Sequence, residues 1–239
     1  MHNWFEDYKT HAIESFPNEC VGIVTKDGQY IRLANQAIDP SISFAINPYD
    51  LAQYDVDTVC HSHPTGIRDN IPVQWPSQHD METFINYPQY KWMIIGTDGV
   101  SVTDTVVYDS NNATPLLGRS YIHGINDCYS IIRDWYRENG ITIKDYPRSY
   151  LWWHSGQDLY SDNFRDCGFE EIYPGSINDL MPGDVLMTTA GGSVIAHAYI
   201  YVGDGIVYHH LANHISCSAP VQKVFGRAIK YVRYRGNNI

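Results

Sequence analysis

The sequence predicts an α+β protein of two domains, and three observations carry that prediction. Amphipathic helical segments alternate with short β-rich runs in the first half, whereas the second half opens with helices and then turns strongly β. Hydrophobic residues make up 44% of the 239-residue chain and charged ones 18%, enough for one or two real cores at roughly 100–200 residues per domain. Between the halves, Asp109 to Pro115 reads DSNNATP, polar and turn-prone with nothing to bury. The boundary therefore falls there, with domains over 1–110 and 118–239.

In the first domain, Trp4, Phe5, Tyr8, Ala12 and Ile13 recur at helical spacing until Pro17-Asn18 interrupts. CVGIV (Cys20 to Val24) and YIRLA (Tyr30 to Ala34) flank Asp27-Gly28 and read as a hairpin. A short helix near Pro48 to Tyr54 precedes a strand, Thr58 to His61, and a loop rich in Pro and Gly from Pro64 to Pro76. Ser77 opens a helix to about Asn86, and strands Lys91 to Thr97 and Val100 to Tyr108 surround Asp98-Gly99. This is a mixed sheet with helices. In the second domain a helix from Asp127 to about Asn139 leads into a Trp-rich helical region around Tyr150 to Tyr160. The runs DVLMTT, IAHAYIYV, IVYHH and AIKYVRY then form a small antiparallel sheet or half-barrel.

The net charge of −11 leaves no basic excess to neutralise phosphates, which argues against nucleic acid and anionic membrane surfaces as partners. Five cysteines, odd in number and without C-x-x-C, predict reduced thiols. Neither a classical export signal nor a run of apolar residues long enough for a membrane span is apparent.

Two constellations carry chemistry. In His61-Ser62-His63-Pro64 the imidazoles stand at i and i+2, on one side of an extended segment, where they can share a metal ion. Ser77-Gln78-His79-Asp80 supplies an oxygen ligand or, equally, a helix cap with its acid in the first turn, and Glu19 heads an early strand. A catalytic zinc needs three protein ligands, an open position and a carboxylate base. The order Glu, His-x-His-Pro, Ser-x-x-Asp resembles the JAMM metallopeptidase signature. That resemblance implies zinc on His61, His63 and Asp80, Glu19 as general acid/base, and Ser77 helping to stabilise the oxyanion. Twelve residues separate Pro64 from Ser77, more than is usual in that family.

In the second constellation, Cys128 follows Asn126-Asp127 and falls in the first turn of a helix, where the dipole is expected to lower the thiol pKa. His197, in a strand with Tyr199 and Tyr201, offers a base. Tyr121-Ile122-His123-Gly124, Asp127-Cys128-Tyr129-Ser130, Gly183-Asp184-Val185, His197 and YVGDGIVYHH together resemble the NlpC-type papain-like cysteine peptidases, although Ser-Gly or Ser-Ala usually follows the cysteine there. The resemblance implies a papain-like fold, Cys128 as nucleophile, His197 as base, His209 as its orienting partner and Tyr121 near the oxyanion. A two-residue turn at Asp204-Gly205 would instead pair 203 with 206 and bring His210 to the face of His197; a bulge would restore His209.

A JAMM-like module followed by an NlpC-type module resembles the K family of tail-tip assembly proteins of long-tailed phages. That resemblance implies a protein made in the host cytoplasm during tail assembly and carried at the virion tail tip among other tail-tip proteins. Its cysteine peptidase would cut the peptide stems of peptidoglycan at the host cell wall. Two rival readings are a structural tail component with silent sites, and a cellular isopeptidase acting through the JAMM-like site.

Overall fold

The computed structural model describes residues 3–66, 71–111, 114–189 and 191–236. Residues 67–70 of the loop from Pro64 to Pro76, and residues 112 and 113 of the polar connection, lie outside the described residues. The chain divides into two units, 1–112 and 113–239. No helix among the described residues is long and apolar enough to cross a membrane.

Unit 1 is a five-stranded mixed sheet. Its strands are β1 (Val21–Thr25), β2 (Tyr30–Leu33), β3 (Val56–Pro64), β4 (Lys91–Thr97) and β5 (Val106–Tyr108), in the order β2-β1-β3-β4-β5. Only β3 and β4 run parallel, and the crossover between them contains α3 (Gln78–Asn86). β3 is longer than the sequence suggested, so both His61 and His63 lie within it. It is buried on both faces, as a central strand covered by helices must be. On one face α1 (Trp4–Ser15) packs Tyr8 and Ala12 against Cys20, Cys60 and Ile95, and Tyr8 Oη donates to the His61 carbonyl at 2.5 Å. On the other, Phe84 of α3 stacks on Trp92 and Tyr108, with ring centroids 5.1 and 5.3 Å apart. The short α2 (Pro48–Leu51) precedes β3.

The expected strand from Val100 to Tyr108 is shortened to Val106–Tyr108. Asp98 accepts from the backbone N–H groups of Val100 and Ser101, a local turn that competes with the ladder and leaves one isolated bridge, Thr97 to Val102.

Unit 2 packs α4 (Cys128–Glu138) against a six-stranded antiparallel sheet. The strands are β6 (Phe169–Ile172), β7 (Val185–Thr188), β8 (His197–Gly203), β9 (Ile206–His209), β10 (Cys217–Pro220) and β11 (Lys230–Tyr234), in the order β10-β9-β8-β7-β11-β6. Ile131, Ile132 and Tyr136 of α4 enter one core with Val185, Ala198, Ile200 and Val232. The opposite face holds Leu186, Tyr201, Val207 and Val221. β6 and β10 lack a sequence signal: β10 is an edge strand exposed at most positions, with no apolar alternation to betray it. The Trp-rich region is two short pieces, a 3-10 turn over Trp152–Ser155 ended by Gly156 at φ +80, then α5 (Leu159–Asn163) capped by Asp158.

Gly96 of β4 stands beside His63 in the parallel register, and a Cβ there would lie 2.0 Å from Val73 Cγ1. Gly96→Ala is therefore expected to cost about 1–3 kcal/mol, since a stiff valine must be displaced. The measurement is a thermal melt, which should drop by several degrees; an unchanged midpoint would contradict the packing described.

Candidate functional sites

In unit 1 the parallel pairing of β3 and β4 fixes His61 and His63 on the face toward α3. Their Nε2 atoms lie 3.1 Å apart. Asp80, in the first turn of α3, places one carboxylate oxygen 3.1 Å from His61 Nε2 and the other 3.3 Å from His63 Nε2. Glu19 Oε1 is 3.9 Å from His63 Nε2, and all four side chains are buried. Four metal-binding groups thus cluster: His61, His63 and Asp80 stand 3.1–3.3 Å from one another, and Glu19 lies within reach of both histidines.

Three features test whether a zinc ion fits. Bonds of about 2.0 Å in tetrahedral geometry put ligand atoms about 3.3 Å apart, close to the separations here. His63 Nδ1 donates to the Val73 carbonyl at 2.7 Å, so its Nε2 keeps a lone pair, as a metal-bound imidazole needs. Asp80 is buried, which alone raises a carboxyl, but the adjoining imidazoles of His61 and His63 outweigh burial and hold it well below the usual carboxylate range. The residues fit zinc.

Ser77 and Asp80 form a reciprocal cap. Asp80 N donates to Ser77 Oγ at 3.0 Å, while Ser77 N and Oγ both donate to Asp80 Oδ2 at 2.6 Å. The cap and ligand readings therefore coexist, because the cap aims Asp80 at the histidines. The Ser77 hydroxyl proton is directed at Asp80 in this arrangement.

In unit 2 Cys128 is the first residue of α4, and its cap is Asp127. The Asp127 carboxylate accepts from Tyr129 N, Ser130 N, Ser130 Oγ and Gly124 N at 2.9–3.1 Å, and from Arg148 at 2.7 and 3.0 Å. This ion pair is almost fully buried. The sequence expectation of a lowered thiol pKa is corrected here: burial, and then the Asp127 charge, push Cys128 up to about 11. The cap consumes the helix N–H groups that would stabilise a thiolate and sets a carboxylate beside it.

His197 Nε2 lies 3.2 Å from His209 Nδ1, and His209 Nε2 lies 3.3 Å from Cys217 Sγ. Both turn geometries weighed from the sequence occur together. Gly203 pairs with Ile206 across Asp204 and Gly205, each with positive φ, and a bulge then shifts the register so that Tyr201 pairs with Val207. That shift brings His209, not His210, to His197. Burial first, and then the nearby His209 and His210, lower the His197 pKa to about 3, leaving a neutral imidazole able to accept a proton.

Cys128, His197, Tyr121 and His210 line a cavity of about 210 Å³ whose other walls include Trp152, Trp153 and Phe164. His123 Nε2 donates to the carbonyls of Arg148 and Ser149, so its Nδ1 faces the Tyr121 hydroxyl at 3.4 Å as an acceptor. Sequence reasoning missed Arg148, Tyr160 and Cys217. Arg148 sits 21 residues from Asp127 in an irregular segment, and no spacing rule announces such a pair. Tyr160 is 32 residues from Cys128, and Cys217, only eight residues from His209, lies in an edge strand that no periodicity announces.

Residues 118–234 match the NlpC/P60 family. The chain is 33% identical over 165 residues to the tail tip assembly protein K of Escherichia phage lambda, covering 69% of this chain and 74% of that one. It is 28% identical over 242 residues to the tail tip assembly protein K of Escherichia phage N15, covering 95% and 93%. Among solved structures, NlpC1 from Trichomonas vaginalis is similar at 20% identity and a TM-score of 0.33 over 49% of this chain, which spans 39% of that one.

Arg148→Met would strand the Asp127 charge in the interior and should cost about 3–5 kcal/mol at neutral pH in chemical denaturation. Asp127 has a depressed folded-state pKa, through the Arg148 charge acting against burial, so its stabilisation is complete above about pH 4 and falls away below it. The gap between wild type and Arg148→Met should therefore narrow in acid. A gap constant from neutral pH down to about pH 3 would exclude this role.

Proposed function

The chain belongs to the tail tip assembly protein K family, and from that premise we propose a phage tail component whose C-terminal unit is a cysteine peptidase acting on peptidoglycan stem peptides. The observation that carries this reading is that Cys128 and a neutral His197 line one cavity, with His209 Nδ1 3.2 Å from His197 Nε2 behind it. In the proposed reaction Cys128 loses its proton to His197 and attacks a stem-peptide carbonyl. His197 then protonates the leaving amine, and water releases the acyl group, with His209 holding the orientation of His197. The protein would be made in the host cytoplasm during tail assembly, join other tail-tip proteins, and act at the host cell wall from the virion tail tip.

For the N-terminal unit the proposal is a JAMM-like zinc site held by His61, His63 and Asp80. Zinc bound there supplies Lewis acidity for hydrolysis. Glu19, at the edge of the cluster, takes and returns the proton of the attacking water, and Ser77 fixes Asp80 from behind.

A second reading, a structural tail component with a silent cysteine site, draws support from the raised thiol pKa of Cys128. Digestion of purified peptidoglycan separates the two. Cys128→Ala should abolish release of soluble fragments while His61→Ala leaves it intact; equal release by wild type and Cys128→Ala would remove the peptidase assignment. Elemental analysis tests the other half: the full chain should carry about one zinc, lost in His61→Ala and His63→Ala. Wild-type protein that takes up no zinc would refute the metal site.

A further inference from the structure

Beside the sulfur of Cys128 stands a hydroxyl from a distant part of the chain. Tyr160 Oη donates to Cys128 Sγ at 3.1 Å. Tyr160 is buried and belongs to α5, which Asp158 anchors by accepting from Ser161 N at 3.1 Å. Its ring packs against those of Trp152 and Tyr129, each at a centroid distance of 6.3 Å. The contact is thus held by a capped helix and two aromatic neighbours. Tyr121, which the family resemblance sets near the oxyanion, lines the same cavity and has its hydroxyl 3.4 Å from His123 Nδ1.

We propose that Tyr160 is a catalytic residue of the cysteine site: its O–H holds the Cys128 sulfur as the thiol gives up its proton, then donates to the carbonyl oxygen as charge develops there. This rests on the reading of Cys128 as nucleophile. The sulfur lone pair forms the C–S bond and the carbonyl π pair moves onto oxygen, while the thiol proton resides on His197. The Tyr160 donor, released as the sulfur charge is consumed, is then one carbon away from the new oxyanion. Collapse of that oxyanion breaks the C–N bond, and the His197 proton leaves with the amine.

The electrostatics of the site call for such a donor. Groups around the sulfur are Asp127 at the cap, Arg148 from the segment after α4, Tyr121 from before it, His197 from β8 and Tyr160 from α5. Burial and Asp127 push the thiol up to about 11, and His197 is lowered to about 3, so proton transfer within the pair runs uphill. Arg148 is bonded to Asp127 and Asp145. The Tyr160 hydrogen bond is the contact at the sulfur that favours the anion most strongly.

The test is the pH dependence of Cys128 alkylation by iodoacetamide, followed by peptide mass on the full chain, beside turnover of peptidoglycan. Tyr160→Phe keeps the ring and removes the donor. It should move the alkylation profile up by about one pH unit and slow alkylation at neutral pH about tenfold. Turnover should fall about 10²-fold in kcat with KM unchanged. Fluorotyrosine at position 160, a stronger donor, should move the profile the other way, and it serves if Tyr160→Phe fails to fold. Profiles that coincide for wild type and either Tyr160 variant, while His197→Ala still alters them, would overturn the role of Tyr160 alone. Fragment release that survives Cys128→Ala would instead overturn the peptidase reading, and this assignment with it.

Discussion

The buried ion pair between Asp127 and Arg148 organises the C-terminal unit. One carboxylate caps α4, closes the turn from Gly124 and draws in the segment after α4 that carries Arg148. Cys128 is thereby fixed at the first position of the helix, with Tyr121 and His123 before it and the Trp152 region beyond, all lining one cavity. Such a pair adds less net stability than its bond count suggests, because both ions are desolvated, yet losing either partner leaves an uncompensated charge inside. Its electrostatic consequence falls on the neighbouring thiol, whose pKa is raised by burial first and then by this carboxylate.

The N-terminal unit uses a related device. Asp80 completes the cap of α3 through Ser77 and at the same time offers its oxygens to His61 and His63. In both units an acidic residue in a helix cap also sets the charge at the candidate site, so cap and site share one carboxylate. The parallel pairing of β3 with β4 contributes the rest, since it buries His61 and His63 and leaves room at Gly96 for Val73, whose carbonyl orients His63.

What the sequence made legible follows from distance along the chain. The α+β class, the hairpin around Asp27-Gly28, the helices beginning at Ser77 and Asp127 and the strand through His197 all rest on periodicity and caps within a dozen residues. His61 with His63, and Asp127 with Cys128, were visible for the same reason. Tyr160 beside Cys128 and Arg148 beside Asp127 were not, because tertiary packing alone joins them. The edge strand β10 carries no alternation, and Asp98 cut short a run that looked β throughout. Local chemistry also misled at Cys128: the helix start favours a thiolate, but burial and then the Asp127 carboxylate outweigh it.

The bulge between β8 and β9 has a consequence for how this site tolerates change. Gly203, Asp204 and Gly205 hold a tight turn whose register shift by one residue decides which of two consecutive histidines meets His197. Losing that extra residue would move His209 to the face that carries Ala198 and Ile200 and bring His210 to the face of His197, so either register supplies an imidazole. Tandem histidines at the end of β9 therefore keep an imidazole opposite His197 in both of the registers that this turn can set.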